Sequence, residues 1–237
     1  MNSELHEAEK LDLRRHLVIV TALLILLIGP LFGPVTELLG DRLTIEMAVV
    51  LVLIGFIVGF SIILAIIFRF NENRDFPRRE QLRRLGLGQR SRMSANIVGA
   101  LVGLAWGALT MTSILQFQPE TNLAEFNLFR VVTVLLAVVG TILEDLITRG
   151  YMMNGLQHIK VPGWGQLVLS ALLFALYHTI WSFNLLSFVF SLVYGLILSG
   201  LFLWGKRSLT PVILAHALAV LISEPFASML IFLAPGA

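Results

Sequence analysis

Six ionisable side chains stand inside otherwise apolar stretches of this 237-residue chain: Glu144, Asp145 and Arg149 within two helical turns, then His178, His216 and Glu224. A charge at the centre of a bilayer costs about 2.5–3.5 kcal/mol on insertion scales, which makes such residues functional candidates. Asp145 and Arg149 are four apart, share a helix face and can pair. That pairing is a structural role. Glu144 has no cation close by in sequence, so its partner must come from another helix. Glutamate with two histidines suits peptide hydrolysis. The carboxylate takes a proton from water, one imidazole orients or shares that proton, and the second donates to the tetrahedral oxyanion. The same three side chains could instead hold zinc, which accepts imidazole nitrogen and carboxylate oxygen. The helical HExxH pattern of zinc proteases is absent.

Depth arithmetic brings two of these groups together. The turn after the Glu144 span centres near Val161-Pro162-Gly163; Glu144 lies 17 residues before Val161 and His178 lies 17 after it. On antiparallel helices rising about 1.5 Å per residue, equal offsets mean equal depth. His216 lies about nine residues past the Lys206-Arg207 turn, nearer that end of its helix. Only these two of the five histidines lie at depth in spans. Phe174 and Tyr177 read most simply as packing around His178. Glu224, beside Pro225, reads as a residue that reaches outward, and it stays outside the site.

The elements that must position these groups are membrane spans. Hydrophobic residues make up 57% of the chain and charged residues 14%, against about a quarter charged in soluble domains. Mean hydropathy is +0.86. Seven candidate spans run approximately 17–38, 45–68, 95–116, 128–153, 164–180, 185–204 and 209–233. The expectation is an all-α membrane protein, a bundle of about seven transmembrane helices. The first span follows a polar stretch with no small-x-small cleavage pattern and reads as retained. Residues 1–94 form a two-span region with an arginine-rich loop; residues 95–237 carry the chemistry.

The loop from Arg69 to Arg92 holds eight arginines against Glu72, Asp75 and Glu80. The positive-inside rule puts it, and the N-terminus, in the cytoplasm. Residues 117–127, with Glu120 and Glu125 and no Lys or Arg, face outside. The turns near Lys160 and Lys206-Arg207 return to the cytoplasm, and the C-terminus lies outside. The arginines set topology and meet anionic headgroups of the bilayer. The pI near 9.3 reflects this clustering, and no nucleic-acid partner is expected. With no cysteine, there is no thiolate nucleophile, disulfide or Cys-type zinc site. Trp164, Trp181 and Trp204 read as interface anchors. Gly99, Gly103 and Gly107, four apart, read as a close-packing helix face.

Taken together, the motifs resemble a known family. Glu144-Asp145-Leu146-Ile147-Thr148-Arg149 resembles the EExxxR motif of the CPBP family, the CAAX prenyl endopeptidases and bacteriocin-processing proteins. Phe174-Ala175-Leu176-Tyr177-His178 is similar to its FxxxH motif, and His216, after Thr210-Pro211, resembles its third motif, HxxxN or HxxxD. The resemblance covers roughly residues 95–237. It implies an intramembrane peptidase with a water-accessible cavity, acting on a membrane-associated peptide or protein. By position, Glu144 would activate water with help from His178, His216 would help form the oxyanion hole, and Arg149 would partner the acidic pair. Bacterial members are often described as metalloproteases, while a metal-free glutamate mechanism has also been argued. The expectation is no cofactor, with zinc on Glu144, His178 and His216 as the alternative.

This sequence departs from the pattern twice. Asp145 replaces the second glutamate and keeps the charge. Val220 stands where the family usually has Asn or Asp, and valine cannot donate a hydrogen bond. A non-catalytic scaffold or regulator holding a membrane protein partner is therefore the second hypothesis. A small proton-coupled transporter is the third.

Overall fold

The computed structural model describes residues 2–72, 77–117 and 127–224. Most of the acidic outer loop, Arg74 and Asp75 of the arginine-rich loop, and the far end of the seventh expected span lie outside the described residues. Within them every regular element is a helix. The chain is an all-α integral membrane protein. By length and composition, five helical stretches can cross a membrane: Glu7–Gly40, Ile45–Asn71, Met93–Gln116, Leu128–His158 and Leu185–Trp204. The fifth and seventh expected spans are shorter helices, Gly163–Thr179 with 17 residues and Thr210–Ser223 with 14.

The first span is not one regular helix. Helix α1, Asn2–Leu23, loosens into a wide π turn, Leu24–Ile28, and tightens into a 3-10 turn, Gly29–Phe32, before α2, Pro34–Gly40. Pro30 and Pro34 each open a new element, where a missing N–H does no harm. Breaks of this kind free carbonyls that need donors in an apolar setting. Trp181 Nε1–H donates to Ile25 O at 2.7 Å, and Ser182 Oγ donates to Phe32 O at 2.6 Å. A Cβ on Gly33 would stand 2.9 Å from Trp181 O, so glycine is required there. Trp181 thus clamps one helix break to another as well as sitting at a helix end.

Beyond it run α3, Ile45–Glu72; α4, Arg78–Arg84; α5, Met93–Phe117; and α6, Leu128–Asp145. A second π turn, Leu146–Tyr151, leads into α7, Met152–His158; then come α8, Gly163–Thr179, α9, Leu185–Trp204, and α10, Thr210–Ser223. Asn127 starts α6 by accepting from Arg130 N–H at 2.9 Å, and Asn184 starts α9 by accepting from the N–H groups of Leu186 and Ser187. Helix α6 packs on α3, α8 on α9, and α10 on both α5 and α6.

The α5–α10 contact is the tightest of these. A Cβ on Gly99 would meet Pro211 O, one on Gly103 would meet Ala215 O, and one on Gly107 would lie 2.8 Å from Ile222 Cβ. The glycine stripe therefore seats the helix that carries His216. Gly103→Leu is expected to push α10 outward and destabilise the protein by about 1–3 kcal/mol, read as a lower thermal midpoint in detergent.

The cation-bearing turns gather at one end of the bundle. Leu209 N–H donates to Gly86 O at 3.1 Å, and Ser208 Oγ donates to Gln89 O at 3.0 Å. Arg207 Nη1 donates to Asn154 Oδ1 at 2.8 Å, and Asn154 donates back to Arg84 O. The arginine-rich loop, the end of α7 and the α9–α10 turn are thus tied together.

Candidate active site

Helix α6 delivers Glu144 and Asp145 at its last turn, where the backbone changes pitch. The π turn that follows carries Thr148 and Arg149, and all six of its residues are buried. π turns are frequent at functional sites because they shift side chains off the regular helical face. Here the freed carbonyls are answered. Thr148 Oγ1 donates to Glu144 O at 2.8 Å, and Ser170 Oγ of α8 donates to Thr148 O at 2.9 Å. Gly150 is obligatory, since a Cβ would stand 2.5 Å from Leu85 O.

Asp145 and Arg149 form the expected pair, Nη1 to Oδ1 at 3.0 Å, with both side chains fully buried. Asp145 has a second partner that spacing did not show. Its Oδ2 accepts from His216 Nδ1 at 3.2 Å. A carboxylate on Nδ1 fixes the imidazole tautomer and leaves Nε2 for chemistry. Edge-on contacts with Tyr194 and Phe174 hold the ring, at centroid distances of 5.5 and 6.1 Å.

Arg149 does more than neutralise Asp145. Its Nη1 also donates to Thr148 Oγ1 at 2.8 Å and lies 4.0 Å from Glu144 Oε1; its guanidinium carbon sits 4.4 Å over the Phe174 ring. Its Nε and Nη2 find no hydrogen-bond acceptor among the described residues. One buried cation thus serves two buried carboxylates. Arg149→Met is expected to cost about 3–5 kcal/mol, because it leaves both acids without their cation; thermal unfolding in detergent measures this.

Glu144 and His178 face the same cavity, as equal depth allows, but no hydrogen bond joins them. The partner of Glu144 from another helix is Tyr177, whose hydroxyl donates to Glu144 Oε1. The reason is rotation about α8. His178 Nδ1–H is drawn back to Phe174 O, at 2.7 Å. The ring then packs among Phe32, Phe174 and Tyr177, with centroids 4.3–4.4 Å away. Tyr177 is fully buried, so it is more than packing. A phenol hydroxyl inside an apolar run was the available signal.

Glu144, His178 and His216 line one cavity of about 210 Å³. Thr141 and Glu224 stand on the same walls, so Glu224 belongs to the cavity lining and does not simply reach outward. Val220 is there too, an apolar side chain where a donor was expected. Phe32, from the broken first span, and Phe56 and Phe60, from α3, close the other side.

A zinc ion needs several convergent donors. Among the described residues no three His, Asp or Glu side chains are grouped to hold a metal ion. His216 is held through Nδ1 by Asp145, His178 through Nδ1 by its own helix, and Glu144 through Oε1 by Tyr177.

The helices that carry Glu144, His178 and His216 also carry a likeness to a known family. Residues 126–222 match the family model for type II CAAX prenyl endopeptidases. This segment is Rce1-like. The match bears out the resemblance seen in the three motifs, and the family is one of proteases. The Rce1-like segment contains Glu144, Asp145, Arg149, His178 and His216, while Phe32, Phe56 and Phe60 of the opposite wall lie before it. No curated protein and no solved structure gives a match.

Proposed function

We propose that this protein is an intramembrane endopeptidase of the CAAX type that cleaves a membrane-associated peptide or protein. The observation that carries the reading is the convergence of Glu144, His178 and His216 on one cavity, with a buried partner holding each. Glu144 Oε1 is held by Tyr177, which leaves Oε2 to take a proton from water. His178 Nε2 accepts the water's second hydrogen and orients its lone pair. The new hydroxide oxygen bonds to the peptide carbonyl carbon, and the carbonyl electron pair moves onto oxygen. Protonated His216 donates from Nε2 to that oxyanion, its charge balanced by Asp145. The C–N bond then breaks as the proton on Glu144 passes to the leaving amine. A dry, preorganised site strengthens each of these interactions.

The gathering of the arginine-rich loop, Lys160 and Lys206-Arg207 at one end supports a cytoplasmic placement of that end. Helix α1 meets the bundle there as well: a Cβ on Gly155 of α7 would lie 2.7 Å from Leu17. We read the N-terminus as cytoplasmic.

The test uses purified protein in lipid vesicles with a panel of lipidated and unlipidated peptides. Wild type is expected to yield cleavage products that Glu144→Ala does not. Identical product sets from the two would sink the reading. The apolar Val220 on the cavity wall favours the second reading, a non-catalytic membrane scaffold, which predicts that a folded Glu144→Ala keeps the cellular phenotype.

A further inference from the structure

Gly140 differs from the other buried helix glycines. A Cβ at Gly103 or Gly150 would collide with a neighbouring carbonyl, and one at Gly195 would stand 3.0 Å from Ala171 Cα. A Cβ at Gly140 would meet nothing within 4 Å, although the residue is buried in the middle of α6. Alanine is the better helix former at such a position. Neither packing nor backbone conformation calls for glycine here. What the missing side chain leaves is space in the cavity, one helical turn before Glu144 on the same face.

Most of the cavity wall away from Glu144 and the two histidines is apolar, with Phe32, Leu53, Phe56, Phe60 and Leu136 in its lining. We infer that Gly140 sets the size of a subsite for one large apolar side chain of the substrate, next to the bond that Glu144 attacks. An apolar cavity of about 150 Å³ holds a benzene ring. The whole cavity here is about 210 Å³ and must also admit the reacting amide, so one leucine- or phenylalanine-sized group is its capacity. This inference rests on the peptidase reading and names a specificity determinant for it.

The chain has no cysteine, so Gly140→Cys carries a single thiol. In vesicles, methyl and benzyl methanethiosulfonate are both expected to modify that thiol. The benzyl adduct is expected to block cleavage of peptides with Leu or Phe beside the scissile bond, and the methyl adduct to spare it. Gly140→Leu is expected to lower cleavage of those peptides by about 10–200-fold more than it lowers cleavage of peptides with Gly or Ala there. Gly140→Ala is expected to leave the thermal midpoint unchanged or raise it by about 2–4 °C. A thiol that neither reagent reaches, a benzyl adduct that cleaves every peptide at the wild-type rate, or a lower midpoint for Gly140→Ala would each overturn the inference. Labelling needs no turnover, so an inactive wild type with a reactive thiol counts against the peptidase reading and not against the open space at Gly140.

Discussion

Glu144→Gln is expected to lower peptide cleavage by about 10²–10⁴-fold, the range a positioned general base supplies, while the protein keeps its fold. Glutamine matches glutamate in shape, and its amide oxygen can still accept from the Tyr177 hydroxyl. Arg149 stays engaged, because its closer partner is Asp145 at 3.0 Å and Glu144 lies at 4.0 Å. Replacing a buried carboxylate by a neutral amide also removes a desolvation penalty. What is lost is the capacity to take a proton from water. Turnover in vesicles and the thermal midpoint in detergent, measured on the same preparation, separate the two effects. Wild-type turnover in a folded Glu144→Gln protein would show that the base lies elsewhere.

Val220→Asn is expected to raise kcat by about 10²–10³-fold, with KM changed little. Val220 lies one turn after His216 on α10 and faces the cavity. An asparagine there places an amide N–H beside the imidazole that serves the oxyanion. One oxyanion donor is worth about 10²–10³ in kcat in a well-studied protease. Because the oxyanion exists only in the transition state and the intermediate, the gain belongs in kcat. The two side chains are close in size, so the helix need not move; Thr141 and Glu224 on the same walls offer the amide polar neighbours in the resting protein. Cleavage kinetics of the two proteins on one peptide measure the effect. An unchanged kcat would mean that oxyanion stabilisation does not limit this protein, and no activity in either protein would favour the scaffold.

Much of this site is visible along the chain because membrane insertion makes intramembrane charge costly. Glu144, Asp145, Arg149, His178 and His216 stand out against apolar surroundings, and a rise of about 1.5 Å per residue converts their positions into depth. The Asp145–Arg149 pair follows from i,i+4 geometry alone. The small-residue face of α5 is equally local, since only glycine allows backbones to meet as closely as Gly103 and Ala215 do.

Depth, however, says nothing of rotation about the helix axis. Tyr177 rather than His178 binds Glu144 because the His178 ring is tied to Phe174 O, a choice made by rings from two elements packing together. The bond from Asp145 to His216 joins residues 71 apart and depends on where α5 seats α10. The π turn at Leu146–Tyr151 packs on Leu85 through Gly150 and is bonded by Ser170 at Thr148 O, contacts that no local pattern announces. Phe32 reaches the cavity only because the first span breaks at Gly29-Pro30 and is pinned there by Trp181 and Ser182. The empty space beside Gly140 is visible only once the opposing walls are in place. The sequence determined which polar groups enter the membrane and at what depth, because burial of charge and helical rise are local physics. Tertiary packing decided which atoms meet, because azimuth, helix breaks and unfilled volume are properties of several helices together.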